Sequence, residues 1–130
     1  MPVFKTKEKA MGKKNRPKWS GVTSAGIFRV PYSGGWFDCH YHDCHEYWLV
    51  FRGKAKVMTE GQTFYVGPGD IVCTKAGDEH DVVEVYEDFE AFWFEDATPA
   101  GGRIGHLHYS AEKAKGHSVA ALPIPDDFPK

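Results

Sequence analysis

Nothing in this 130-residue sequence has the length of a membrane span, since no apolar run approaches the ~20 residues that a crossing helix needs. The opening residues, Met-Pro-Val-Phe-Lys-Thr-Lys-Glu-Lys, lack the apolar core of a secretory signal, so the expected location is cytoplasmic. Cysteine is scarce. Cys39, Cys44 and Cys73 are an odd number that leaves one over in any disulfide scheme, which fits a reducing compartment. None of the three is read as a nucleophile. No internal repeat is visible, and net charge is only −2. That small value hides an asymmetry, because residues 1–18 carry seven Lys or Arg against one acid. The basic stretch has no interleaved aromatics to form a nucleic-acid platform and reads as a solvated arm. Neither a nucleic acid nor a membrane is expected as a partner.

What is present is a globule's composition, 42% hydrophobic and 15% aromatic, in a chain suited to one core. Short β-type runs follow one another between turn signals: Gly26–Val30, Trp36–His42, Glu46–Phe51, Ala55–Thr59, Thr63–Val66, Ile71–Thr74, Asp81–Tyr86 and Phe89–Glu95. About eight strands without a convincing helix among them predict an all-β barrel or double-sheet jelly roll. The domain reading is a basic flexible arm (1–18), a barrel (19–98) and a C-terminal extension (99–130). That extension holds one short helix at Ala111–Lys115, capped by Ser110, and a Pro-rich extended tail from Leu122.

The stretch that organises the chain is Gly34 to Gly53, with three imidazoles and two carboxylates between His40 and Glu46. In an extended strand His40 and His42 emerge on one face about 7 Å apart, so both reach one ion. Asp43, Cys44 and His45 turn the chain, and Glu46 opens the next strand with an oxygen ligand. Downstream, a strand and a Gly-bearing turn lead to His80, the natural fourth ligand. Three neutral imidazoles and a carboxylate leave a six-coordinate divalent ion two exchangeable positions. Such an ion can act as a Lewis acid, activate water or, as iron, bind dioxygen.

These residues resemble the cupin family. Gly34, His40, His42, Glu46 and Gly53 meet every position of its first motif, and Gly69, Gly77 and His80 match the second. Lys75 stands where that second motif has proline and Glu84 where it has asparagine. The resemblance implies a cupin-type double-stranded β-helix and one divalent metal: Mn, Fe, Ni or Zn. It also raises the expectation of a homodimer, which the doubly apolar strand carrying Tyr47, Leu49 and Phe51 suggests by itself. The function expected is an enzyme on a small oxygen-rich substrate bound to the metal, of the sugar or sugar-acid isomerase, epimerase or lyase type. An iron dioxygenase and a non-catalytic binding module are the alternatives.

Around the ion, Trp36, Trp48 and Trp93 are candidates for an aromatic substrate wall, with Tyr41 and Arg52 as polar contacts. Glu84 and His45 are the candidate proton-transfer groups, Glu84 because a carboxylate facing an apolar interior beside a cation needs a role. A second His-x-His pair, His106 and His108, has no acid at ligand spacing and is expected on a short strand or loop near the barrel mouth.

Overall fold

A computed structural model of the protein describes residues 3–96 and 105–130. Nine strands and one short helix follow in order: β1 (Ser24–Val30), β2 (Gly35–Phe37), β3 (Glu46–Arg52), β4 (Ala55–Thr59), β5 (Gln62–Val66), β6 (Ile71–Thr74), β7 (His80–Val85), β8 (Phe89–Glu95), α1 (Ala111–Ala114) and β9 (His117–Ala121). They form two sheets, ordered β1-β8-β3-β6 and β2-β9-β7-β4-β5. Neighbours are antiparallel except β7 and β9, which pair in parallel. This is the jelly-roll barrel read from the strand spacing.

Alternation sets the core. Trp48 and Val50 of β3, Val57 of β4, Val82 and Val85 of β7, and Phe89 and Ala91 of β8 all point inward and are fully buried. Each buried valine removes apolar surface worth roughly 1.5–3 kcal/mol, and β-branched side chains suit the pleat. Gly53 joins β3 to β4 with φ 78°, and a Cβ there would collide with the Asp88 carbonyl. Only glycine fits that turn.

Two bulges reset the alternation. In β4–β7 pairing, Lys56 faces Glu84 while Val57 faces Val82, so Val83 is the extra residue and Glu84 is turned outward. In β3–β8 pairing, Val50 faces Ala91 while Arg52 faces Glu90, which leaves Phe51 extra and Arg52 outside.

The terminal segments depart from expectation. The arm expected to be flexible is anchored where Met11, itself buried, exchanges two backbone hydrogen bonds with Ala25, at 2.8 and 3.0 Å. The C-terminal segment is part of the barrel, because β9 inserts between β2 and β7. The helix is as expected, with Ser110 accepting the Lys113 N–H at its N-cap. Cys39, Cys44 and Cys73 are all free thiols. No helix among the described residues is long and apolar enough to cross a membrane.

Candidate metal centre

His40 and His42 lie on the connection between β2 and β3, and His80 opens β7. The backbones of His40 and His80 exchange hydrogen bonds, His80 N–H to His40 O at 2.8 Å and His40 N–H to His80 O at 3.2 Å. Gly77, at φ 87°, turns the β6–β7 connection and donates its N–H to His42 O at 2.9 Å. Glu46 begins β3 on the inward phase it shares with Trp48. His40, His42, Glu46 and His80 are all buried, each offering one ligand atom, and these atoms lie within 4.8 Å of one another.

The donor geometry fits a cation. His40 Nε2 and His80 Nε2 are 2.9 Å apart, His42 Nε2 is 3.0 Å from Glu46 Oε2, and His80 Nε2 is 3.4 Å from Glu46 Oε1. Burial lowers the His40 imidazole to about 4 and the His80 imidazole to about 3, so both are neutral at pH 7. His40 Nδ1 contacts the Asp38 carbonyl at 2.5 Å, a hydrogen bond that puts the ring's proton on Nδ1 and its lone pair on Nε2. Thr59 donates its hydroxyl to Cys73 O and so accepts from Thr74 at 2.7 Å, which leaves Thr74 Oγ1 to accept from His80 Nδ1–H at 3.3 Å and turns that ring the same way. Two lone pairs directed at each other across 2.9 Å repel without a cation between them. The cluster could therefore hold a divalent ion with the nitrogen and oxygen donors such ions take.

The carboxylate is held ionised. Burial pushes Glu46 up, but hydrogen bonds with His42 and Glu95 outweigh it and leave the group below its ordinary value. Trp48 Nε1–H donates to Glu46 Oε1 at 2.9 Å while its ring stacks on His80, with centroids 4.5 Å apart. Glu95, cross-strand from Glu46 and 0% exposed, approaches His42 Nδ1 to 3.7 Å.

The cluster opens on a cavity of about 180 Å³ lined by Phe28, Phe37, His40, Glu46, Trp48, Trp93 and His106. Of the three tryptophans named as candidates for an aromatic wall, Trp48 and Trp93 line the cavity. Trp36 does not: β2 points it outward, 60% exposed, and the inward ring is its neighbour Phe37. Tyr41 stacks on Tyr109 with centroids 4.1 Å apart, outside the cavity lining. Arg52, turned out by the β3 bulge, pairs with Glu90 at 3.0 Å and Asp88 at 3.8 Å. His45 accepts the Ala76 N–H on Nδ1 at 2.9 Å, tying two turns together rather than facing the cavity. Glu84 accepts from the Tyr86 hydroxyl and pairs with Lys56 at 3.5 Å on the outer face, so it is not a proton-transfer group of this centre. Cys39 is half-buried against Glu79, and burial together with the charges of Asp81 and Glu79 pushes its thiol up to about 12, which makes it a poor nucleophile.

Asp38, Glu95, Phe28 and Phe37 are site residues that the sequence reading missed. Asp38 supplies the acid that the second His-x-His pair lacks in sequence: its Oδ2 is 2.8 Å from His106 Nδ1 and 2.7 Å from His108 Nε2. The 106–108 segment does lie at the mouth. Leu107 and Tyr41 exchange backbone hydrogen bonds of 2.9 and 3.0 Å, His42 Nδ1 is 2.9 Å from Gly105 O, and the His106 ring stacks on His40 with centroids 3.6 Å apart and planes 8° from parallel.

Comparison with known proteins agrees with this architecture. The cupin domain family model matches residues 26–95, and the chain belongs to that family. A curated relative, the uncharacterized protein y4oW of Sinorhizobium fredii, is 41% identical over 71 residues, which are 55% of this chain and 33% of that protein. The chain thus spans about a third of that relative's length. Among solved structures, the DMSP lyase DddQ of Ruegeria pomeroyi superposes with a TM-score of 0.56 at 23% identity, over 65% of this chain and 43% of that one. Salicylate 1,2-dioxygenase of Pseudoaminobacter salicylatoxidans gives 0.53 at 18% identity, over 58% and 20%. A cupin superfamily protein of Desulfitobacterium hafniense gives 0.51 at 15% identity, over 67% and 74%. At these identities the likeness is one of fold.

Proposed function

We propose that this protein is a divalent-metal-dependent enzyme acting on a small molecule with an oxygen-bearing head and a compact apolar body. The observation that carries the reading is that His40 and Glu46 belong both to the four-residue ligand cluster and to the wall of the aromatic cavity. His40, His42, Glu46 and His80 would hold the ion, which when bound supplies Lewis acidity or, as iron, redox chemistry. Trp48, Trp93, Phe28 and Phe37 enclose the apolar body and exclude water. The Trp48 indole keeps Glu46 oriented, and the Asp38 carbonyl keeps His40 in the tautomer whose Nε2 faces the cluster.

Cavity size and lining narrow the substrate class. About 180 Å³ is close to the ~150 Å³ that accommodates a benzene-sized guest, so a single-ring or short-chain acid fits. A sugar is disfavoured. Among the described residues its hydroxyls would meet His40, Glu46, His106 and the indole of Trp93 as polar lining groups, and each hydroxyl left unpaired costs about 1–3 kcal/mol. An oxygenase or an eliminating lyase on such an acid is accordingly favoured over a sugar isomerase, and both chemistries occur among the fold's relatives.

The test loads chelated protein separately with Fe²⁺, Mn²⁺, Ni²⁺ and Zn²⁺ and offers hydroxybenzoates and C3–C6 acids. Quenching of tryptophan fluorescence reports binding, an oxygen electrode reports oxygenation, and mass spectrometry reports elimination. Turnover of one acid with at least one metal is expected. Saturable quenching without turnover would make the protein a binding module, and no quenching by any compound of this size would overturn the substrate class.

A further inference from the structure

The second His-x-His pair supplies one wall of the cavity beside the metal centre. His106 and His108 flank Leu107, whose backbone is paired with Tyr41, so period-two alternation sends both imidazoles to one face, where they meet Asp38. Asp38 Oδ2 lies 2.8 Å from His106 Nδ1 and 2.7 Å from His108 Nε2. A carboxylate can only accept, so each of these nitrogens carries a proton and donates it. The neutral His106 ring then keeps a lone pair on Nε2.

The place of the ring gives that lone pair a use. His106 lines the cavity and Asp38 does not, so Nδ1 is engaged away from the cavity and Nε2 is the nitrogen left for a guest. Among the described residues Nε2 has no hydrogen-bond partner. The stack on His40, with centroids 3.6 Å apart, sets His106 one ring's spacing from a ligand of the centre. The Leu107–Tyr41 backbone pair holds it there.

We infer that His106 is a specificity-determining residue of this centre, its Nε2 accepting a hydrogen bond from a hydroxyl of the substrate. The inference rests on the substrate class proposed above and narrows it from small acids in general to hydroxy acids. Of the other polar lining groups, His40 and Glu46 belong to the ligand cluster, and the Trp93 indole N–H can only donate. His106 is therefore the lining acceptor, among the described residues, that an ion would leave available. Its half-exposed ring lets water satisfy Nε2 when the guest has no hydroxyl, so the preference is that of one neutral hydrogen bond, about three- to tenfold in affinity.

Protein loaded with Zn²⁺ is titrated at pH 8 by calorimetry with 2-, 3- and 4-hydroxybenzoate against benzoate, and with 2- and 3-hydroxybutyrate against butyrate. For at least one pair the wild type should bind the hydroxy acid more tightly. His106→Phe keeps a ring to stack on His40 and cannot accept the bond. It should lower that preference about three- to tenfold, with affinity for the parent acid within twofold and zinc content and circular dichroism unchanged. His106→Leu is the second variant and should lose the same preference. A preference that survives in a folded, zinc-loaded variant overturns the inference and leaves the acid-binding reading in place. Equal binding of hydroxy and parent acids by the wild type does the same, and so does an equal loss of both in the variants, which makes His106 a packing wall. Loss of fold or zinc in both variants makes the ring a structural brace and also overturns it. Binding of none of these acids overturns the substrate class itself, and the inference with it.

Discussion

The indole N–H of Trp48 and the carboxylate of Glu46 are joined by a 2.9 Å hydrogen bond inside the barrel, two residues apart on the same face of β3. The bond holds one ligand oxygen in place while the ring braces His80. Trp48→Phe keeps most of the packing and removes the donor. Metal affinity should fall about 10–100-fold, the range for losing a group that orients a ligand, with the fold retained. Competition with a chromophoric chelator measures it, and an unchanged affinity would leave Trp48 a packing residue only.

Acid should destabilise the metal-free protein early. His40 and His80, lowered by burial to about 4 and about 3, stay neutral in the folded state while the unfolded chain takes up protons near 6.5. Stability is therefore full above about pH 7 and declines as pH falls from there toward 4. Glu46, held below its ordinary 4.5, adds a further loss beginning under that value. Urea midpoints measured between pH 8 and pH 4 should fall monotonically without metal, and a flat profile would contradict the buried neutral histidines.

Glu84→Gln should leave metal content unchanged and turnover of any substrate within twofold. Its carboxylate serves an outer-face pair with Lys56 and the Tyr86 hydroxyl, and exposed ion pairs contribute about 0–1 kcal/mol. A hundredfold loss of turnover at full metal content would instead return Glu84 to the reaction.

The four-ligand cluster was legible because its spacing is local: two histidines two apart, a glutamate four further on, and a histidine beyond a glycine turn. Glu84 and Arg52 were misread for one shared reason. A bulge at Val83 and another at Phe51 each shift the inward phase by one residue, and a bulge leaves no mark in a period-two pattern. Trp36 lost its place to Phe37 without a bulge, because β2 ends at Phe37 and the phase of His40 and His42 does not carry back into it. Asp38 and His106 meet across 68 residues, a contact set by topology rather than by any local motif. The β9 segment, with only Val119 buried, carries too little apolar alternation to announce a strand.

We propose that the outer face of the β1-β8-β3-β6 sheet pairs two copies of the chain. Leu49 and Phe51 stand exposed there, Phe51 packs on Phe92 at 5.0 Å, and Tyr47 stacks on Phe94 at 5.2 Å, which makes a contiguous apolar patch. Light scattering at micromolar concentration should give twice the chain mass, and Leu49→Asp should give the monomer. A monomeric wild type would remove the dimer.

The rung of backbone hydrogen bonds between His40 and His80 bears on how quickly the centre fills. Two ligands 40 residues apart in sequence are already locked side by side before any ion arrives, so no chain search stands between an encounter and a bound ion. What remains is the shedding of water from the ion and its passage through the mouth. Loading rates should then rank the metals by how fast each releases its own hydration water, with nickel the slowest. Which metal a filled centre would hold in a mixed supply would be decided by that competition in time as well as by equilibrium preference.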